Sequence, residues 1–407
     1  MDSYMPYKKS LEKFAYVVIL LMFFLFPTSI NRTPHPTAVI LLLSLLQCGL
    51  IVLFAWQEWL NKRQVLLAII AIVYMAVATV VALTEPRLNL NLPRTEILIC
   101  FIALCCISNK SRISADFFLR VLDIICIVML FWNILTLLRV QPFISFVNNF
   151  YTQLDTYTAT YWSLVNNKPI FTFGVHNFAS IFYLHFFLFN YAAFQKYAKR
   201  RFLFYMVMLF GFTLLLKSTS SAGIAGIMLL LFLRLFWKDK RKVMLILLGV
   251  AVGMMLFLAS GLASQYVSAF SSKANGFLGR YSNETDIYDG NYRIMESFPM
   301  GIGFTVGQPE LNLYFADSGY IIYYTMGSVL LPCILFLLLY RYYKRNLNKK
   351  MALVLTGVAM LTELSLISFM YEKTLYLYIF EVGFFRSILG CGDYFGSEEI
   401  VGKCEIG

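Results

Sequence analysis

From Gly290 to Gly327 the chain reads GNYRIMESFPMGIGFTVGQPELNLYFADSGYIIYYTMG, a polar island between two long apolar runs. Arg280 precedes it and Arg293 lies inside it. Gly301-Ile302-Gly303 forms a turn, and Asp317-Ser318 marks the return to an apolar helix. Arginine is always charged, and its planar fork suits bidentate contacts to phosphate oxygens. A carboxylate beside such cations can act as a general base toward an acceptor hydroxyl. The combination points to chemistry on an anionic, lipid-linked substrate at one membrane face. Plainer readings stand beside it. Arg280 or Arg293 can pair with Glu284, Asp286, Asp289 or Glu296. Asp317 can cap its helix, which stabilises by about 1 kcal/mol. The glycine pair lets the backbone turn sharply or approach a neighbour closely.

A second group of polar residues lies upstream. Phe171 to Phe178, FTFGVHNF, closes a long loop and places His176-Asn177 at a helix start. Asn177 is a good N-cap type. His176 can donate to a sugar or a phosphate, or serve as a structural donor. Lys168 is the nearest cation before this element. Lys217, in the tight turn Lys217-Ser218-Thr219-Ser220-Ser221-Ala222-Gly223, can add positive potential, although the small residues also suit close helix packing. Four residues stand out within apolar runs. Asp123 reads as a local pair with Arg120, and Glu381 as a partner of Arg386. His185 reads as a helix–helix hydrogen bond. Glu363 has no evident partner, and an ion-coupled transporter needs such a group.

The elements that position these residues follow from composition. The chain has 407 residues, 59% hydrophobic and 14% charged, with a mean hydropathy of +0.70. A soluble protein of this length carries about 25% charged residues. Apolar runs able to cross about 30 Å of hydrocarbon recur along the sequence. The fold class is therefore all-α, a polytopic transmembrane bundle of about 12 spans. They fall at roughly 13–30, 37–56, 65–84, 95–108, 117–138, 177–195, 202–217, 222–237, 243–262, 318–340, 351–370 and 374–390. Residues 1–407 form a single membrane domain. Phe14 to Ile30 is long for a signal peptide and lacks a small-residue cleavage site, so it reads as an uncleaved first helix.

The net charge of +12 suggests no nucleic acid, because the basic residues cluster between apolar runs. Examples are Lys62/Arg63, Lys196/Lys199/Arg200/Arg201 and Arg341/Lys344/Arg345/Lys349/Lys350. Under the positive-inside rule these clusters are cytoplasmic, and so are both termini. Two segments on the opposite face are too long to be simple turns: 140–176, and a large external loop, 263–317, between spans 9 and 10. The eight cysteines fall in spans or on the cytoplasmic side, so disulfides are not expected. No HExxH, P-loop or GxSxG motif occurs, and no carboxylate cluster suggests a divalent metal. The chemistry expected is metal-free, without a cofactor.

The order of motifs resembles the Wzy-type polysaccharide polymerases, within the larger O-antigen polymerase and ligase family. It comprises Gly-x-x-Asn opening a span (Gly174 to Asn177), a Ser/Thr-rich turn before a span with Gly and Ala (Ser218 to Gly226), and a large external loop with Arg293 before Gly301 and Gly303. Asp317-Ser318, Tyr320 and Gly327 follow. The resemblance implies a GT-C-like helical bundle in the bacterial inner membrane, its large loop capping a cavity at the external, periplasmic face. It implies a glycosyltransferase that polymerises undecaprenyl-diphosphate-linked repeat units into O-antigen or capsule, with lipid-linked glycan as both donor and acceptor and a chain-length regulator as a candidate partner that the sequence itself does not select. Carried over, Arg293, then Arg280, Lys168 and Lys217 hold the diphosphate. Asp317 or His176 is the base, and Asn177, Tyr292 and Tyr320 contact glycan. The ligases of the family carry a His-Asn pair where Asp317-Ser318 stands here. A ligase and a flippase or exporter of lipid-linked glycan are the competing readings.

Overall fold

The computed structural model describes residues 10–11, 13–19, 49, 62–90, 92–107, 113–147, 168, 170–172, 176–196, 288–315, 318–364 and 367–389. Spans 2, 7, 8 and 9 lie almost wholly outside them, as do Lys217, Arg280 and Asp317. The described chain is mostly helical. Its order is α1 (Lys62–Ala82), β1 (Leu88–Leu90), α2 (Leu92–Cys106), α3 (Ala115–Leu137), α4 (Gln141–Val147), α5 (His176–Lys196), α6 (Asp289–Ser297), β2 (Thr305–Gly307), α7 (Gly319–Gly327), α8 (Leu330–Asn346), α9 (Lys349–Glu363) and α10 (Glu372–Leu389). Short 3-10 turns at Pro309–Leu311 and Ser368–Met370 complete it.

Two of these helices, α1 and α3, are long and apolar enough to cross a membrane, and the bent pair α7–α8 makes a third if counted as one span. The pattern on α1 explains how it sits. Gln64, Ala68, Ala71, Met75, Ala78 and Ala82 are buried, while Leu66, Ile69, Ile70, Val73, Val77 and Val80 are exposed. Small side chains thus face the protein and bulky aliphatic ones face out. That is the arrangement hydrocarbon favours, because close backbone approach, rather than apolar burial, drives helix association there. On α3 the buried set is Phe118, Leu122, Ile125, Cys126, Met129 and Asn133, with Ile124, Ile127 and Phe131 outside. Helix α10 is central. Phe380 and Phe384 pack on Phe118 of α3 and on Phe189 of α5.

The apolar run at 318–340, expected as one helix, is two helices at 117°. The reason is local. Ser328 closes α7 with φ 52°, outside the helical region. The carbonyls freed at the end of α7 need donors. They find them in the glycine turn: Ile302 N–H donates to Thr325 O at 2.9 Å and Gly303 N–H to Met326 O at 2.8 Å. Gly301 and Gly303 hold φ of 85° and 60°. A Cβ on Gly303 would stand 2.1 Å from Thr79 Oγ1. Only glycine fits so close to α1. The run at 351–370 likewise ends early. It is α9 to Glu363, then the 3-10 turn at Ser368–Met370.

Helix α1 sets the orientation of the two ends. At its start Arg345 Nη1 of α8 donates to Gln64 Oε1 at 3.4 Å, bringing the basic clusters 62–63 and 341–350 to one end. At its finish Thr79 Oγ1 accepts from Phe304 N–H at 2.8 Å, and β1 pairs antiparallel with β2, Leu88 opposite Gly307 and Leu90 opposite Thr305. Twenty-one residues separate the two ends of α1, a rise of about 30 Å.

Candidate functional site

The end remote from the basic clusters carries the rim on which Arg293 sits. Helix α6 is short, and its position is fixed by one buried side chain. Asn291, fully buried, donates through Nδ2 to Thr325 Oγ1 of α7 at 3.1 Å and accepts Tyr314 N–H on Oδ1 at 2.8 Å. Tyr74 of α1 adds a hydrogen bond to Met300 O at 3.0 Å, and Tyr288 meets Tyr314 edge-on. The rim is thus held by side chains that reach backbone, and its own charged groups are left at the surface. Arg293 is one of these. Its side chain is 75% exposed, and Nη2 donates to Asp289 Oδ2 one turn earlier. The local pair and the exposed guanidinium therefore coexist. Tyr292 on the same helix is half-buried.

The other sequence candidates fall as follows. Tyr320, in the first turn of α7, donates its hydroxyl to Met360 O of α9 at 3.0 Å. The cap of α7 is Ser318, which accepts from Ile321 N–H, so a neighbour of Asp317 fills the capping role. His176 and Asn177 open α5, and their side chains lie outside the described residues. Lys168 is half-buried. Arg87, after α1, donates to Glu85 Oε1 at 2.6 Å. That hydrogen bond holds the Glu85 carboxyl below its usual range and pushes Arg87 up. Lys373 is buried and donates to Thr172 O at 2.8 Å, which ties the start of α10 to the segment before α5.

A second polar region runs through the interior. His185 of α5 stands 2.9 Å from Glu381 Oε1 of α10, and Tyr343 of α8 donates to Glu381 Oε2 at 2.5 Å. All three are buried. The helix–helix role expected for His185 is therefore observed. Arg386 is not the partner of Glu381. Five residues apart on a helix point about 140° apart around the axis. Higher up, Glu363 ends α9 and is fully buried. Ser368 Oγ donates to its Oε1, as does Phe369 N–H at 3.2 Å. Ser368 Oγ also lies 3.1 Å from Tyr378 Oη. Phe369 is sandwiched by Phe101 and Tyr323, with ring centroids 4.3 and 5.6 Å away. No His, Cys, Asp or Glu trio suited to a metal occurs among the described residues.

Comparison with protein-family models, curated proteins and solved structures gave no match. The helical architecture and the two polar regions therefore stand on their own geometry.

Sequence spacing missed the partners of Glu381 and the rigid seating of α6. A usable signal was present for α6. Asn291 is the one amide in that nine-residue helix, at the position facing α7. The Glu381–His185 pair is separated by 196 residues, beyond any local pattern.

Proposed function

We propose that this chain is a membrane glycosyltransferase that lengthens a lipid-diphosphate-linked glycan at the face remote from its basic clusters. One observation carries the reading. A rigidly seated helix presents an exposed arginine at the end of α1 opposite Lys62, Arg63 and Arg345. Basic clusters lie inside under the positive-inside rule, so Arg293 overhangs the external leaflet. There a lipid-linked diphosphate can compete with Asp289 for the guanidinium, and a bidentate contact favours phosphate. Charge grows on the diphosphate as the saccharide leaves, and a cation fixed in advance stabilises that charge. Within this reading the fold is a bundle of about 12 spans, GT-C-like, with 263–317 as its capping loop. Arg280, Lys168 and Lys217 are further diphosphate contacts, Asn177, Tyr292 and Tyr320 line the glycan, and Asp317 or His176 is the base.

The test is glycan length in cells that depend on this protein. Arg293→Ala at matched protein level should leave single-repeat product, and Asp289→Ala should keep long chains. Normal length in Arg293→Ala rejects the site. Lipid-linked oligomers that still lengthen while final attachment fails would mark a ligase instead.

A second reading, export of lipid-linked glycan, has its own observation in the buried Glu363 and the broken α7–α8 helix, since non-helical backbone at membrane depth is tolerated where it is buried in protein or lines a cavity. It predicts that repeat units accumulate inside when the protein is lost. The polymerase reading predicts that they accumulate outside.

A further inference from the structure

The two buried carboxylates differ in one respect. Both oxygens of Glu381 are engaged, one by His185 and one by Tyr343. Only one oxygen of Glu363 is. Its Oε1 takes Ser368 Oγ–H and Phe369 N–H, while Oε2 is buried with no hydrogen-bond partner. Among the described residues no cation forms an ion pair with Glu363. Lys373, ten residues on, directs its ammonium to Thr172.

The groups around Glu363 come from every element packed on this corner. Tyr323 of α7 brings its hydroxyl to the Glu363 carboxyl and accepts Phe369 N–H at 3.2 Å, while Oε2 itself has no hydrogen-bond partner. Tyr378 of α10 reaches Ser368. The ring of Tyr378 meets Tyr343 edge-on at 6.2 Å, so it stands between the two carboxylates. Helix α2 contributes Phe101 and the buried Cys105, and α8 contributes Phe336 against Phe369. The turn itself is clamped by Thr374 Oγ–H, which donates to Ser368 O and, at 2.6 Å, to Tyr371 O.

A bare carboxylate in such a place has lost its water and gained no counter-charge, and a buried group in that position takes up a proton and becomes neutral. We propose that Glu363 is a proton-binding site, with the proton on Oε2, and that its gain and loss switches the corner between α9 and α10. The balance is simple. A proton passes between water and Oε2, no covalent bond to carbon changes, and no electron moves. With the proton on, Glu363 is neutral and the aromatic packing around Phe369 closes over it. With the proton off, the carboxylate needs donors, and Tyr323 or Tyr378 must turn toward it or water must enter. The inference does not depend on the glycan chemistry proposed above.

Infrared spectroscopy of the purified full-length protein in lipid nanodiscs tests it. At neutral pH the spectrum should contain the C=O stretch of a protonated carboxylic acid in an apolar site. Glu363→Gln should remove that band and Glu381→Gln should leave it. A rise in pH should abolish the band in wild type together with a change in the backbone amide band, and Glu363→Gln should show neither change. Should Glu363→Gln fail to fold, Glu363→Asp should shift the band's frequency. Absence of the band in wild type, or a band unaltered by the change at 363, would overturn the proposal. Loss of the band without any backbone change would overturn the switching role.

Discussion

The rim around Arg293 and the seam around Glu381 solve opposite problems. At the rim, backbone is the thing held. The glycine turn caps α7, Asn291 grips Thr325 and Tyr314, and the charged side chain stays in water. In the seam, backbone is already satisfied by helices, and side chains are held instead. His185, Glu381 and Tyr343 come from three helices and leave no oxygen of Glu381 unmet. The difference teaches which residues matter for what. An exposed charge on a fixed backbone is free to meet a ligand and adds little to stability. A buried side chain fixed by neighbours adds to the structure and is closed to ligands. Glu363 belongs to the seam by burial but lacks its second partner.

Substitutions should separate the two regions by size of effect. The largest falls on the rim's backbone. Gly303→Val drives a Cβ into Thr79 and demands a φ that valine avoids, so it should cost more than about 3 kcal/mol and leave little folded protein in a detergent gel-filtration profile. Next comes the seam. Glu381→Ala strands His185 and Tyr343 and should cost about 3 kcal/mol, read as a lower unfolding temperature. Glu363→Gln should stay within about 1 kcal/mol of wild type by the same assay, because a neutral group replaces a neutral group. If the two glutamates prove equally sensitive, the distinction between them fails.

Smaller effects sharpen the contrast. Asn291→Ala removes two buried hydrogen bonds and should cost about 1 to 3 kcal/mol. Hydrogen exchange should speed up at 300–315 and not in α10. Arg293→Ala should change stability by less than about 0.5 kcal/mol, since its guanidinium is held by one exposed ion pair with Asp289, while glycan length falls sharply. The smallest effect is a pH dependence at the end of α1. The hydrogen bond from Arg87 lowers the Glu85 carboxyl, so its small stabilising effect is present above the ordinary carboxylate range and fades as pH falls through the lowered value. Arg87→Ala should move the Glu85 titration back up, as followed by NMR of labelled glutamate.

Part of the helical architecture was legible in the sequence because hydrocarbon imposes a length and a polarity that short windows record. The runs at 65–84, 117–138 and 177–195 correspond to α1, α3 and α5. Their bends were less legible. Nothing in the apolar composition of 318–340 says that it breaks at Gly327 and Ser328, because the break depends on Ile302 and Gly303 arriving from another segment to take its carbonyls. At the rim one local pairing was legible. Arg293 was singled out as a cation beside a carboxylate, and spacing of four residues on one helix already allowed the Asp289 pair. The seam was not. Glu381 beside Arg386 looked local, but its partners lie on α5 and α8, and helix packing alone chose them.

The central claim is that Arg293 holds a lipid diphosphate while saccharide is transferred from it. The most direct measurement uses purified protein in liposomes with undecaprenyl-diphosphate-linked repeat units from the native host, with products separated by length. Wild type should build a ladder of oligomers, and Arg293→Ala, equally folded, should leave the single unit. A wild-type protein that builds no ladder, or an Arg293→Ala protein that builds the same one, contradicts the account.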